Sequence, residues 1–309
     1  MPNNPFANDL FLPVLLRVVV LLLAGFAAVL VARRRWSLRV LRRSTLFLRA
    51  RVWFVIGPLF VIAVFIGGFV SFLLATYVVL QGSSEIVRIA GIQRRYALLL
   101  MLWGEVGLLV AAFFGSYVVF LPFGFLILLT LLPVLSRELT DAHRQVADTL
   151  FAYVYVGLPM AYIVFVKSSE PLGLNFLVVV TIAVAVSDIG SWVVGQVLKT
   201  PQLLQEMAPG KTWSGALGNL LGSAAAVALL WVAVPKSWPM VVVVVLVVMT
   251  GLGSLWGDLT DAFVKRAFGT TATSTLVIGY GGVLDRVVSL LMAFPLTYFA
   301  VVVTERIIR

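Results

Sequence analysis

The sequence predicts an all-α polytopic membrane protein with about ten membrane-embedded helices, and three observations carry that expectation. Of 309 residues, 61% are hydrophobic and 12% are charged, about half the charged share of a soluble domain. The apolar residues fall in long continuous runs, without the alternation of barrel strands. Lipid offers the backbone no water to bond, so only helices or a closed barrel can cross it, and a spanning helix needs roughly 20 apolar residues. The third observation is an uneven spread of Lys and Arg among the connecting segments.

The runs lie near 11–32, 52–66, 69–82, 97–113, 117–135, 146–166, 172–187, 214–234, 239–256 and 283–303. The first is expected to stay as a span, since Asp9 precedes it and the basic residues follow it. The second and third are divided at Gly67-Gly68. A single bent span there would reverse every later orientation. With ten spans and an external N-terminus, segments 33–51, 83–96, 136–145, 188–213 and 257–282 face the cytoplasm. With Arg286 at the membrane edge they hold 18 of the 23 Lys and Arg, as the positive-inside rule expects. We divide the chain into residues 1–135, membrane helices with a basic cytoplasmic arm, and residues 136–309, a second membrane region.

The arm, 33–51, has eight arginines and no acid. Topology alone explains it, and contact with anionic membrane lipids would follow, at about 1 kcal/mol per basic residue near the surface. No nucleic acid is expected as a partner, because no nucleic-acid-binding module accompanies the arm. Arg17 and Glu105 fall within runs. Arg17 is near enough to one end to snorkel, whereas Glu105 pairs with a neighbouring helix or lines a cavity. Gly215, Gly218 and Gly222 read as close helix packing. The absence of cysteine removes thiolate metal sites and thiol catalysis, and the single His143 makes histidine chemistry a poor expectation.

Two cytoplasmic segments are too polar and too patterned for plain connectors. VSDIGSWVVGQVLKTPQLLQEMAPGKTWSGALGN covers 186–219, and GDLTDAFVKRAFGTTATSTLVIGYGGVLDR covers 257–286. Each opens with an acid at the end of an apolar run, Asp188 and Asp258, and each carries cations, Lys211 in one and Lys265 and Arg266 in the other. The second closes on Gly281-Gly282 and Asp285-Arg286. Carboxylates beside Lys and Arg at a membrane surface suit a phosphate substrate chelated to Mg²⁺, which takes one or two carboxylates plus phosphate oxygens and water. PGKT at 209–212 is no P-loop: position 205 is Gln, and no βαβ unit surrounds it.

These residues resemble the phosphatidate cytidylyltransferases, the CDP-diacylglycerol synthases. That family's hallmark is S-x-x-K-R-x-x-x-x-K-D-x-x-x-x-x-P-G-H-G-G-x-x-D-R-x-D. Residues 262–288 read AFVKRAFGTTATSTLVIGYGGVLDRVV. The family's G-D-L-x-E-S is matched by GDLTDA (257–262), and its S-D-x-x-A-Y-x-x-G and S-P-x-K-T-x-E-G by SDIGSWVVG (187–195) and APGKTWSG (208–215). Outside these motifs the likeness covers the hydrophobic layout and Glu85, where the family tends to have a Glu after an early span.

The resemblance implies transfer of CMP from CTP to a lipid phosphate, giving CDP-diacylglycerol and pyrophosphate in phospholipid biosynthesis. It places the protein in a bacterial inner membrane with the two polar loops forming a cytoplasmic site. By the same resemblance Asp188, Asp258 and Asp285 are the metal ligands, and Lys211, Lys265, Arg266 and Arg286 hold phosphates. Thr212, Gly281 and Gly282 touch the nucleotide. The family's Lys-Asp pair is Thr271-Ala272 here, its His is Tyr280, and its closing Asp is Val288. Ser214 and Ile278 replace a Glu and a Pro. With carboxylates missing, Mg²⁺ binding is expected to be weak and to depend on bound CTP. The alternative is a non-catalytic paralogue that binds an anionic lipid or nucleotide. A transporter would leave both loops unexplained. The oligomeric state is open, a homodimer included.

Overall fold

The computed structural model describes residues 4–32, 57–137, 139–168, 173–270 and 282–308. The basic arm at 33–51 therefore lies outside the described residues, as do Thr271, Ala272, Tyr280 and Gly281. Ten helices are described: α1 Phe11–Ala32, α2 Gly57–Ile66, α3 Gly68–Ala90, α4 Arg94–Phe113, α5 Leu121–Ser136, α6 Ala142–Ser168, α7 Gly173–Leu198, α8 Trp213–Leu229, α9 Met240–Ala267 and α10 Leu284–Ile308. Seven of them, α3 to α7 with α9 and α10, are long and apolar enough to cross a membrane, so the chain is an integral membrane protein.

The break between α2 and α3 sits where the sequence put it. Gly67 and Gly68 both take positive φ, +67° and +47°, a region that residues with a Cβ rarely enter. Helix α6 carries a π-turn at Tyr153–Gly157. The two residues charged within apolar runs both find partners. The Arg17 guanidinium donates to the Pro13 carbonyl one turn back, at 3.0 Å. Glu105 of α4 accepts from the Thr76 hydroxyl of α3, at 2.8 Å.

The segments expected as polar loops are largely helical. Helix α7 continues ten residues past Asp188, and α9 nine past Asp258. At 1.5 Å per residue, Asp258 stands about 27 Å along its helix, close to the far edge of a hydrocarbon layer about 30 Å thick. The acids thus ride on the ends of over-long helices. The all-helical expectation also misses a small hairpin. Strand β1 (Gln202–Leu204) pairs antiparallel with β2 (Ala208–Thr212), Gln202 opposite Thr212 and Leu204 opposite Ala208. Pro201 stops α7 from continuing into it, because the residue before a proline avoids the helical region.

Helices α7 to α10 form the unit that carries the site. Helix α8 packs along α7 more extensively than any other helix pair meets, followed by α9 against α10. Small residues allow this approach. A Cβ on Gly222 would lie 2.6 Å from the Val186 carbonyl oxygen, and one on Gly218 would strike the Gly190 backbone. Between α9 and α10, a Cβ on Gly257 would lie 2.5 Å from the Cα of Ser289, and one on Gly253 2.6 Å from the Cα of Ala293. Close backbone contact of this kind holds helices together in lipid, where apolar side chains gain little by leaving the solvent. One apolar core joins residues from Phe11 to Val301.

Gly257→Ala is expected to lower stability by about 1–3 kcal/mol, the range for overpacking a close contact. Gly210→Ala, where a Cβ meets nothing within 4 Å, is expected to leave it unchanged. Thermal unfolding of both variants in detergent checks this pair.

Candidate active site

Four polar residues lie in line along α9: Ser254, Asp258, Asp261 and Lys265. Spacings of four, three and four residues put them on one helix face. This stripe organises the site. At its first turn the Ser254 hydroxyl donates to Asp188 Oδ1 of α7, at 2.5 Å. One turn on, Asp258 is ion-paired through Oδ2 with Lys211 of the hairpin, and its Oδ1 accepts from the Ser289 hydroxyl of α10, at 3.2 Å. At the end of the stripe, Lys265 lies between two carboxylates. It reaches Asp261 Oδ2 at 2.5 Å and Asp285 Oδ1 at 2.8 Å.

Local sequence explains each position. Thr212 caps α8: its hydroxyl accepts from the Gly215 amide at 3.1 Å, so the strand ends there and leaves Lys211 just before the helix. Thr212, expected at the nucleotide, is the N-cap of α8. Asn219 of α8 is fully buried. With its amide turned to satisfy every group, its nitrogen donates to the Ser187 carbonyl and the Ser191 hydroxyl of α7, both at 3.0 Å, and its oxygen accepts from the Leu255 amide of α9 at 3.1 Å. That single side chain ties three helices together beside Asp188 and Ser254. Asp285, in the first turn of α10, accepts from the Gly282 amide at 2.8 Å, where the helix dipole favours a negative charge.

The structure brings together Asp188, Lys211, Asp258, Lys265 and Asp285, but not as the sequence reading arranged them. Among the described residues, no three acidic or histidine side chains are grouped to hold a metal ion. The three acids expected as metal ligands, Asp188, Asp258 and Asp285, fall in two neighbouring pairings along the stripe. Asp188 and Asp258 form one with Lys211, while Asp285 shares Lys265 with Asp261. The reason is electrostatic: carboxylates that share a poorly hydrated place repel one another unless cations or hydroxyls compensate, and here each acid has such a partner. Gly282 is buried at the start of α10, Arg286 is half-buried beside Asp285, and Arg266 is exposed at the end of α9. Val288, where a carboxylate was expected by resemblance, is buried in the apolar core. Sequence reasoning missed Ser254, Ser289 and Asn219. Ser254 follows four residues before Asp258, a spacing that signals a shared face.

Two carboxylates close together remain able to serve a divalent cation. Asp188 and Asp258 lie within electrostatic reach of each other, as do Asp258 and Asp261. The second Asp261 oxygen is buried with no hydrogen-bond partner among the described residues, an acceptor left for a cation or a donor from a ligand. This donor set fits Mg²⁺ in its usual mode, with one or two carboxylates and the rest of the shell from phosphate and water.

Lys265→Met leaves Asp261 and Asp285 without their shared cation. Their side chains are 17% and 11% exposed, so the expected loss is about 2–4 kcal/mol, somewhat below that for breaking a fully buried pair. Arg144→Met, which removes a pair whose arginine side chain is 71% exposed, is expected to change stability by less than about 0.5 kcal/mol. Detergent unfolding curves compare the two.

With this geometry in view, comparison with known proteins is informative. A sequence model of the cytidylyltransferase family matches residues 47–304. A phosphatidate cytidylyltransferase of Brucella suis biovar 1 (strain 1330) is 39% identical over 149 residues, which is 47% of this chain and 53% of that protein. The phosphatidate cytidylyltransferase of Bacillus subtilis (strain 168) is 24% identical over 177 residues, 57% of this chain and 65% of its own. That of Haemophilus influenzae is 35% identical over 135 residues, 41% and 46%. The chain spans about half the length of the first of these relatives. The family match covers most of the chain, including every helix of the α7–α10 unit and all of the paired carboxylates and lysines: the chain belongs to the cytidylyltransferase family.

Proposed function

We propose that the protein transfers CMP from CTP to phosphatidate, giving CDP-diacylglycerol and pyrophosphate. The observation that carries this reading is the α9 stripe with its two lysines, set where over-long apolar helices reach the membrane surface. A phosphate carried by a lipid lies at that depth. The nucleophile, a phosphate oxygen of the lipid, is already anionic and needs no strong base. It attacks the α-phosphorus of CTP, the bond to the bridging α–β oxygen breaks, and pyrophosphate leaves with the electron pair. What the protein must supply is alignment and charge neutralisation.

Lys211 and Lys265 are the neutralising groups best placed for this. With Mg²⁺ and nucleotide bound, Asp188 and Asp258 would hold the ion, and its charge would balance that of the phosphates. The Lys211 ammonium, no longer needed by Asp258, would then turn to a phosphate oxygen, while Lys265, held by Asp261 and Asp285, would offer its remaining N–H to another. Against another face of α9, helices α6, α9 and α10 border an apolar groove of about 340 Å³ lined by Tyr155, Tyr162, Trp256, Thr260, Met292 and Pro295, with Tyr155 within electrostatic reach of Asp261 and Asp285. Its place beside the acids suits an acyl chain of the lipid acceptor. The Lys and Arg distribution supports a cytoplasmic place for this end of the bundle, and bacterial relatives favour a bacterial inner membrane.

Purified protein with CTP, phosphatidate and Mg²⁺ is expected to release pyrophosphate, and to release none when any one of the three is omitted. Asp258→Asn should reduce the rate by about 10²-fold or more, the scale for losing a group that organises charge at the reacting centre. In a Mn²⁺ titration read by electron paramagnetic resonance, binding should be markedly tighter with CTP than without. Absence of pyrophosphate release under all lipid compositions, or tight metal binding indifferent to CTP, would contradict the proposal.

A further inference from the structure

Glu85 lies on α3, far in sequence from the α9 stripe, and is fully buried. Its carboxylate meets the start of α10 with both oxygens. Oε1 accepts from the Val283 amide at 2.8 Å, and Oε2 accepts from the Leu284 amide at 2.9 Å. Gln81, one turn earlier on α3, donates its side-chain amide to Oε1 at 3.2 Å. The two backbone groups are among those that a helix leaves without intrahelical partners at its N-terminus. A carboxylate there also meets the positive end of the helix dipole. Helix ends are usually capped by a side chain close in sequence. Here the cap comes from almost 200 residues away, and it grips the turn that carries Asp285.

The neighbouring contacts make this grip tight. Gly82 brings α3 close to the π-turn of α6 and to Leu284: a Cβ there would lie 3.0 Å from Val156 Cγ1 and 3.8 Å from Leu284 Cδ1. On the other side, the Gly282 amide is bonded to Asp285, and Asp285 to Lys265. The chain of contacts therefore runs from Glu85 through the backbone at 282–284 to Asp285 and Lys265. We infer that Glu85 is a positioning residue for cytidylyl transfer, its buried carboxylate holding the first turn of α10 so that Asp285 stays in register with Lys265 and Asp261. A carboxylate is suited to this because it accepts at two oxygens. Glutamine keeps one acceptor and turns an N–H₂ group toward a backbone N–H. Aspartate is one methylene short.

The inference rests on the proposed transfer reaction, and its test separates the two. In Glu85→Gln, hydrogen exchange measured by mass spectrometry should rise in the peptide spanning 282–290, while protection of α7 and of α9 up to Asp258 stays as in the wild type. In steady-state assays with CTP and phosphatidate, kcat should fall by roughly 10-fold or more while KM for CTP changes less than about threefold, since a small misplacement in the reacting geometry falls on turnover. A double-mutant cycle supplies the readout that general destabilisation would not move. In an Asp285→Asn background, Glu85→Gln should lower kcat by less than about threefold, because it acts through the residue already removed.

Equal losses in both backgrounds, or an unchanged kcat in the single variant, would overturn the inference. Should Glu85→Gln fail to fold in detergent, Glu85→Asp is measured in the same way. If it too fails to fold, Glu85 serves stability and the inference is overturned. If the wild type releases no pyrophosphate, the proposed reaction falls, and the exchange measurement alone decides the grip on α10.

Discussion

The ion pair between Asp258 and Lys211 is the interaction on which the rest of the site depends. A carboxylate near the end of a lipid-crossing helix is poorly hydrated, and an isolated charge there is strongly unfavourable. Lys211 compensates it, and the need for that lysine explains the hairpin. Helix α7 must end, the chain must turn back, and α8 must begin immediately after Lys211. Pro201, the β1–β2 pairing and the Thr212 cap achieve this in sequence. The close packing of α7 on α8 then fixes where the hairpin sits. The same requirement recurs one turn along α9, where Lys265 compensates Asp261 and Asp285 together.

The pairing has a functional consequence. Groups that neutralise phosphate in a phosphoryl-transfer site are also the groups that must be accounted for when phosphate is absent. Under the proposed reaction, lysines engaged with carboxylates would meet both demands, and the acids would be left to receive a divalent cation. Hydroxyls at Ser254 and Ser289 hold Asp188 Oδ1 and Asp258 Oδ1. Serine at these positions is small enough to let α9 and α10 approach through Gly253 and Gly257, so packing and site chemistry are met by the same stretch of helix.

Much of this was legible in the sequence. Hydrophobic run length predicted the helices, and Gly67-Gly68 marked a real break because both residues need positive φ. The acids and lysines were found from their place at the ends of apolar runs and from the family motifs. Other features were hidden for physical reasons. The 202–212 hairpin is too short to show a strand period, and Pro209-Gly210 interrupts its second strand. Ser254, Ser289 and Asn219 stand in apolar helices, where small polar residues look like packing. The pairing of each acid is a three-dimensional matter: Lys265 has Asp261 four residues away, but its second partner, Asp285, is reached only through the fold. Glu85 stood out by resemblance alone, since its contacts lie on another helix. Which acids pair with which lysine could not be read from motif order, because those contacts join separate helices.

The account's central claim is that the two carboxylate–lysine groups along α9 form one nucleotide-phosphate site. Calorimetric titration of CTP into the purified protein with Mg²⁺ present tests it most directly. Saturable binding is predicted, weakened by about 10-fold or more both in Lys211→Met and in Lys265→Met, the scale of one lost charge-assisted contact. CTP binding that neither substitution alters would contradict the claim.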